Sequence, residues 1–251
     1  MFSIIPVPVS GPVDEELASR AVRWLPVVGL LLAAPAALAL LAVGGTGAGD
    51  GAPLRRLLGA VLAVAVLGVL TGGLHLDGLA DTVDGLASRR PRDQALEIMR
   101  RGDTGPLGVA ALVFAVLLQV TALAALGGTL AVPALVLGAV TARTAVILAT
   151  GPAFPAARPG GFGALVAGRT PARVCAAAVA VLVAAVAAFG WLDGGTALAV
   201  RLLAATAAGL LTATGVCGAA RSRLGGLTGD VFGAVVEITM TATLVALVIA
   251  S

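Results

Sequence analysis

The chain has no lysine and no tyrosine, one histidine and two cysteines among 251 residues. Without a lysine amine there is no Walker-type phosphate loop, no Schiff-base nucleophile and no pyridoxal phosphate enzyme. Cys175 and Cys217 lie inside apolar runs with no His or Cys nearby, so they lack metal-ligand spacing and read as small core residues. Charge is scarce as well. Only 12% of residues are charged and 59% are hydrophobic, with a mean hydropathy of +1.06; a soluble domain averages roughly 25% charged. The net charge of +3 comes with no basic arm or stripe, which argues against a nucleic-acid partner. Asp14, Glu15 and Glu16 precede the first apolar run where a cleaved signal peptide would carry a basic segment, so the first span is expected to stay in the protein.

Long apolar runs dominate what remains. Seven stretches, near 24–43, 56–72, 107–126, 130–150, 174–191, 196–217 and 231–250, have about the length that spans 30 Å of hydrocarbon as a helix. The expected fold is an all-α, polytopic transmembrane helical bundle, with residues 1–251 forming a single domain. The connections alternate: 44–54, 127–129 and 192–195 are short or Gly-rich, whereas 73–106, 151–173 and 218–230 carry most of the charge. The Arg-rich set faces the cytoplasm by the positive-inside rule, giving an N-in, C-out topology to which Arg55 and Arg56 are exceptions. The charged connections are thus expected at the cytoplasmic surface of the membrane. The number of chains that assemble stays open, a homo-oligomer included.

Four segments on the Arg-rich face carry chemistry. In GGLHLDGLADTVDGLASRR, residues 72–90, a helix would project Asp77, Asp81 and Asp84 from one face within about 60°. Carboxylates so placed repel one another, and a hard divalent cation, Mg²⁺ or Mn²⁺, would relieve that repulsion. A solvated acidic face is the plainer alternative. Gly72, Gly73, Gly78 and Gly85 are read as room for a ligand to approach the backbone.

In RSRLGGLTGDVFGAVVE, residues 221–237, Asp230 and Glu237 share a helical face behind Gly225, Gly226, Thr228 and Gly229, a loop suited to phosphate. Glu237 enters an apolar span and is a functional candidate, or else the partner of an Arg from another span. ARPGGFG, residues 157–163, puts Arg158 beside Gly160, Gly161 and Gly163, and Arg169 follows. EIMRRGDTGPLG, residues 97–108, sets Glu97, Arg100, Arg101 and Asp103 before a span that begins at Pro106. Acids for a metal and arginines for phosphate oxygens are the equipment of phosphoryl transfer.

GGLHLDGLADTVDGL, EIMRRGDTGPLGV, ARPGGFG and RLGGLTGDVFGAVVE, in that order, resemble cobalamin synthase, the adenosylcobinamide-GDP ribazoletransferase family. PVPV near residue 6 and WLPVVG at 24–29 also look like its N-terminal pattern. The chain departs from many members at MRRGDTGPLG, 99–108, which leaves the roles of Arg100, Arg101 and Asp103 open.

The resemblance implies that adenosylcobinamide-GDP and α-ribazole, or its 5′-phosphate, are joined to give adenosylcobalamin, or its phosphate, with release of GMP. On that basis Asp77, Asp81, Asp84 and Asp230 are expected to hold Mg²⁺ and a ribose 5′-hydroxyl to attack the cobinamide-linked phosphorus. Asp81, Asp84, Glu237 or His75 would take the proton, although a helix turns His75 away from the aspartates. Arg89, Arg158, Arg223, Gly161, Gly226, Thr228 and Gly229 are expected at phosphate or substrate, with Phe162 and Phe232 nearest for base stacking. DTVDGLASR, 81–89, also resembles half of the CDP-alcohol phosphotransferase pattern, whose second half, GxxxDxxxD, is missing. An ion-coupled transporter is the rival from another class.

Overall fold

The structure is a computed structural model that describes residues 14–44 and 51–251. The PVPV segment lies outside the described residues. Helices follow one another as α1 Glu15–Val22, α2 Leu25–Gly44, α3 Ala52–Leu70, α4 Leu74–Ala87, α5 Arg92–Ile98, α6 Pro106–Ala149, α7 Gly161–Val166, α8 Ala172–Leu224 and α9 Gly229–Ile249. The expected all-α bundle is observed. Five of these helices are long and apolar enough to cross a membrane.

Two of the five are broken midway. Gly127 and Gly128 leave helical backbone angles inside α6, and Gly194 and Gly195 do so inside α8. A β-carbon added to Gly190 would stand 2.5 Å from the Ala199 Cα, so the two arms of α8 fold back on each other. In α6, Gln119 of the first arm bonds Glu237 and Thr241, while Gly138 of the second lies against Met240 and Leu244. Both arms therefore meet α9 at about the same depth. Five helices thus supply seven apolar rods, matching the expected spans to within a few residues except at α8, whose second arm runs on to Leu224.

The rods pack through small residues, as membrane helices do where backbone approach replaces the hydrophobic drive. A β-carbon on Gly59 would come 2.7 Å from the Leu40 carbonyl oxygen, and one on Gly29 2.9 Å from that of Ala139. Outward faces carry large exposed side chains such as Leu31, Leu38, Phe114, Val181 and Leu211. This is a polytopic membrane protein.

One end of the bundle gathers the polar connections. Arg169 pairs with Glu15 at 2.6 Å, tying α1 to α7, and the 155–157 segment bridges to Leu227. The opposite end holds Gly44, Arg56, Gly127 and Gly128 around a small cavity. Arg55 and Arg56 are thus indeed apart from the other loop arginines.

Candidate active site

Helix α4 begins after Gly72 and Gly73, both in the left-handed region at φ 62° and 72°, which separates it from α3. Its acids then run along one face, as the i, i+4, i+7 spacing predicts, but their surroundings differ. Asp77 is exposed, Asp81 is 8% exposed, and Asp84 is half-buried. Asp84 accepts hydrogen bonds from the Gly105 and Gly108 amides at 2.7 and 2.8 Å. It therefore caps the start of α6 from a neighbouring helix, filling a role that Gly105, without a side chain, cannot.

Burial and the neighbouring carboxylates of Asp77, Asp230, Asp84 and Asp103 push the Asp81 carboxyl up to about 6. Asp230 reaches this group because α9 crosses α4 almost backbone to backbone. A β-carbon on Gly78 would stand 2.6 Å from the Asp230 carbonyl oxygen, and one on Gly233 would meet the His75 backbone at 3.1 Å. Gly78 thus serves helix packing, and Gly85 makes way for the Met99 side chain; neither leaves room for a ligand. Among the described residues, no three acidic, histidine or cysteine side chains stand close enough to hold a metal ion as placed.

Beside the acids lies a cleft of about 220 Å³ formed by two of the segments singled out above. Arg158, Gly160, Gly161 and Phe162 form one wall, and Thr228, Gly229 and Asp230 the other. The Arg158 guanidinium is 4.0 Å from Asp230. Gly160 and Gly161 have φ of 82° and 75° and open space where a β-carbon would be, so here the glycines do expose backbone. Gly226 does something else. A β-carbon there would lie 2.3 Å from the Pro155 oxygen, so this glycine lets the 155–157 segment bridge to Leu227.

Thr228 is buried and caps α9: its hydroxyl accepts from the Val231 amide at 3.4 Å and donates to Asp230 at 3.1 Å. Phe162 and Phe232 meet edge to face at 5.9 Å, and Phe232 is only 1% exposed, which removes it as a stacking surface for a base. Arg89 is exposed just beyond α4 at φ 52°, a conformation costly for a branchless cation and common at functional sites. Arg223 is exposed in the last turn of α8.

Glu237 and His75 are placed elsewhere. Although Glu237 shares a helical face with Asp230, it lies two turns deeper, lining a small cavity with His75, Gln119 and Arg143. The expectation of one group joining Asp230 with Glu237 is corrected: the carboxylate accepts from Gln119 at 2.9 Å and has Arg143 as its nearby counter-charge. Arg143 escaped the sequence reading, although an arginine in mid-span is itself a signal. Arg92 was missed too; it donates to the Leu224 carbonyl at 2.8 Å and to that of Ala157, clamping the loops that build the cleft.

Comparison with known proteins shows the family. The profile of the cobalamin-5-phosphate synthase family matches residues 1–248. The chain belongs to that family. Among relatives named adenosylcobinamide-GDP ribazoletransferase, one from Frankia casuarinae is 42% identical, over 97% of this chain and 91% of its own. One from Bradyrhizobium diazoefficiens is 40% identical over 92% and 84%, and one from Escherichia coli (strain K12 / DH10B) 36% over 97% and 94%. No solved structure matches. The four segments that resemble cobalamin synthase in sequence lie together at one end of this family member.

Proposed function

We propose that this chain is an adenosylcobinamide-GDP ribazoletransferase of a bacterial inner membrane, working at its cytoplasmic face. It joins adenosylcobinamide-GDP to α-ribazole or α-ribazole 5′-phosphate and releases GMP. The observation that carries the reading is the juxtaposition of the Arg158 cleft with the buried, raised Asp81, in a chain of the cobalamin-5-phosphate synthase family.

The donor set around Asp81 is all carboxylate, which fits a hard cation, and its mutual repulsion is what such a cation relieves. Asp77 and Asp230 would hold Mg²⁺, or Mn²⁺ in its place; Asp84 is already committed to two amides. Bound there, the ion would neutralise charge on the transferring phosphoryl group and on departing GMP.

Arg158 and the exposed amides of Gly160 and Gly161 bind non-reacting phosphate oxygens, with Gly229 completing the floor. Arg89 and Arg223, both exposed at the same end, meet phosphate as the substrate docks. Asp81, with its carboxyl near 6, takes the proton of the attacking hydroxyl. That hydroxyl cannot be the ribose 5′-hydroxyl when the nucleoside is phosphorylated at that oxygen, so the earlier expectation gives way to attack by a secondary ribose hydroxyl. The P–O bond to the ribose forms as the bond to GMP breaks, leaving the cobinamide-linked phosphorus in the product.

The test is direct. Purified protein in liposomes, given adenosylcobinamide-GDP, α-ribazole 5′-phosphate and Mg²⁺, should release one GMP per corrinoid nucleotide formed. Release of CMP from a CDP-alcohol, with no GMP from the corrinoid substrate, would assign the CDP-alcohol phosphotransferase reaction instead.

A further inference from the structure

The deeper polar group has its own logic. Glu237 comes from α9, Gln119 from the first arm of α6 and Arg143 from the second. Gln119 Nε2 donates to Glu237 Oε2 at 2.9 Å and to Thr241 Oγ1 at 3.1 Å, and that hydroxyl donates to the Glu237 carbonyl at 2.8 Å. Arg143 is 2% exposed and lines the same cavity. Opposite charges that share a buried cavity offset each other's desolvation, and removing one leaves the other without its counter-charge.

The cavity measures about 20 Å³, enough for roughly one water and far below the several hundred Å³ of a ligand pocket. A cavity of that size has no room for a substrate. The group does touch α4, because His75 and Leu76 line the same cavity, with Thr71 at the end of α3 beside them. One turn from Glu237, Gly233 rests on the His75 backbone, and one turn further Gly78 rests on Asp230. The polar group and the acid group are thus mounted on the same two helices, α4 and α9.

We infer that Glu237, Gln119 and Arg143 are positioning residues: by locking α6, α9 and the start of α4 at one depth, they set the spacing of Asp77 and Asp81 against Asp230. The inference rests on the proposed metal-assisted transfer and removes Glu237 from the candidate bases. It is tested with Glu237→Gln and with the charge-free pair Glu237→Gln/Arg143→Met, each in the full chain in liposomes. The readouts are Mn²⁺ binding by electron paramagnetic resonance without substrates, the Mg²⁺ concentration for half-maximal activity, and the pH profile of kcat.

Glu237→Gln should weaken Mn²⁺ binding and raise the Mg²⁺ requirement by about 10-fold or more, within the range for outer support of metal ligands. The shape of the pH profile should not change. The double variant leaves no stranded charge and keeps an amide at 237 to accept from Gln119, so the α6–α9 contact persists and metal binding should return to within about 3-fold of wild type. Unchanged Mn²⁺ binding with kcat down about 10²-fold or more, a lost acidic limb and no recovery in the double variant would make Glu237 a base and overturn the inference. If Glu237→Gln does not fold, the double variant decides alone: folded without Mn²⁺ binding overturns the inference, folded with wild-type binding supports it. Wild-type protein that binds no Mn²⁺ defeats the metal reading itself, a result separate from both.

Discussion

Helices α4 and α9 carry two polar groups about two turns apart, and the two could hardly differ more. At the loop end, Asp77, Asp81 and Asp230 crowd like charges beside an open cleft of about 220 Å³. Deeper in the bundle, Glu237 has an amide donor and a guanidinium around a cavity of about 20 Å³. The upper group is unbalanced and accessible, the condition of a site that awaits a cation and a phosphate. The lower one sets opposite charges around a cavity too small for a substrate, the condition of a strut. Residues on one helical face, such as Asp230 and Glu237, do not thereby belong to one site.

Substitutions sharpen this contrast in order of expected effect. Asp81→Asn should lower kcat by about 10²- to 10⁴-fold with the fold intact, as expected for loss of a general base; steady-state GMP release measures it. A smaller loss than that from Glu237→Gln at saturating Mg²⁺ would erase the distinction. Arg158→Ala should raise the KM for adenosylcobinamide-GDP by roughly 10- to 100-fold, from a charge-assisted contact worth about 1.5–3 kcal/mol. Arg92→Ala, which loosens the loops without facing the cleft, should reduce thermal stability more than it changes KM.

Glycine substitutions separate packing from binding within the cleft segments. Gly226→Ala forces a β-carbon onto the Pro155–Ala157 backbone and should cost about 1–3 kcal/mol as an overpacked contact. Gly161→Ala meets no neighbour; only its positive φ is strained, at about 1–2 kcal/mol, so its larger signature should be in KM. Paired thermal melts and kinetics distinguish them.

The smallest expected effect is in pH. Burial and neighbouring carboxylates raise the folded Asp81 carboxyl to about 6 from its usual value near 4. The folded state thus holds this proton more tightly than the unfolded chain. The stability it contributes is present at low pH and is lost as pH rises through the interval up to about 6. A bound cation replaces the proton above that range. Melting curves with and without Mg²⁺ should therefore diverge above pH 6 and converge below it.

Much of the fold was legible, because apolar length is dictated by bilayer thickness and the Gly127–Gly128 and Gly194–Gly195 breaks stand out between apolar runs. The loop end was legible through charge. What escaped depends on partners distant in sequence. Asp84 looked like a third ligand, but its geometry belongs to the start of α6. Gly78 and Gly226 looked like space for a ligand; a missing β-carbon does not say what fills its place, and here it is backbone. Arg143 stands in mid-span, outside the charged loops, and only the hairpin of α6 brings it to Glu237.

The separation of the two groups is tested most directly by a structure of the protein with Mn²⁺ and a GDP-containing substrate analogue, using anomalous scattering to locate the metal. The Mn²⁺ peak should fall among Asp77, Asp81 and Asp230, with the nucleotide phosphates in the cleft beneath Arg158 and the Glu237–Arg143 cavity closed. Metal or substrate density against Glu237 would contradict it.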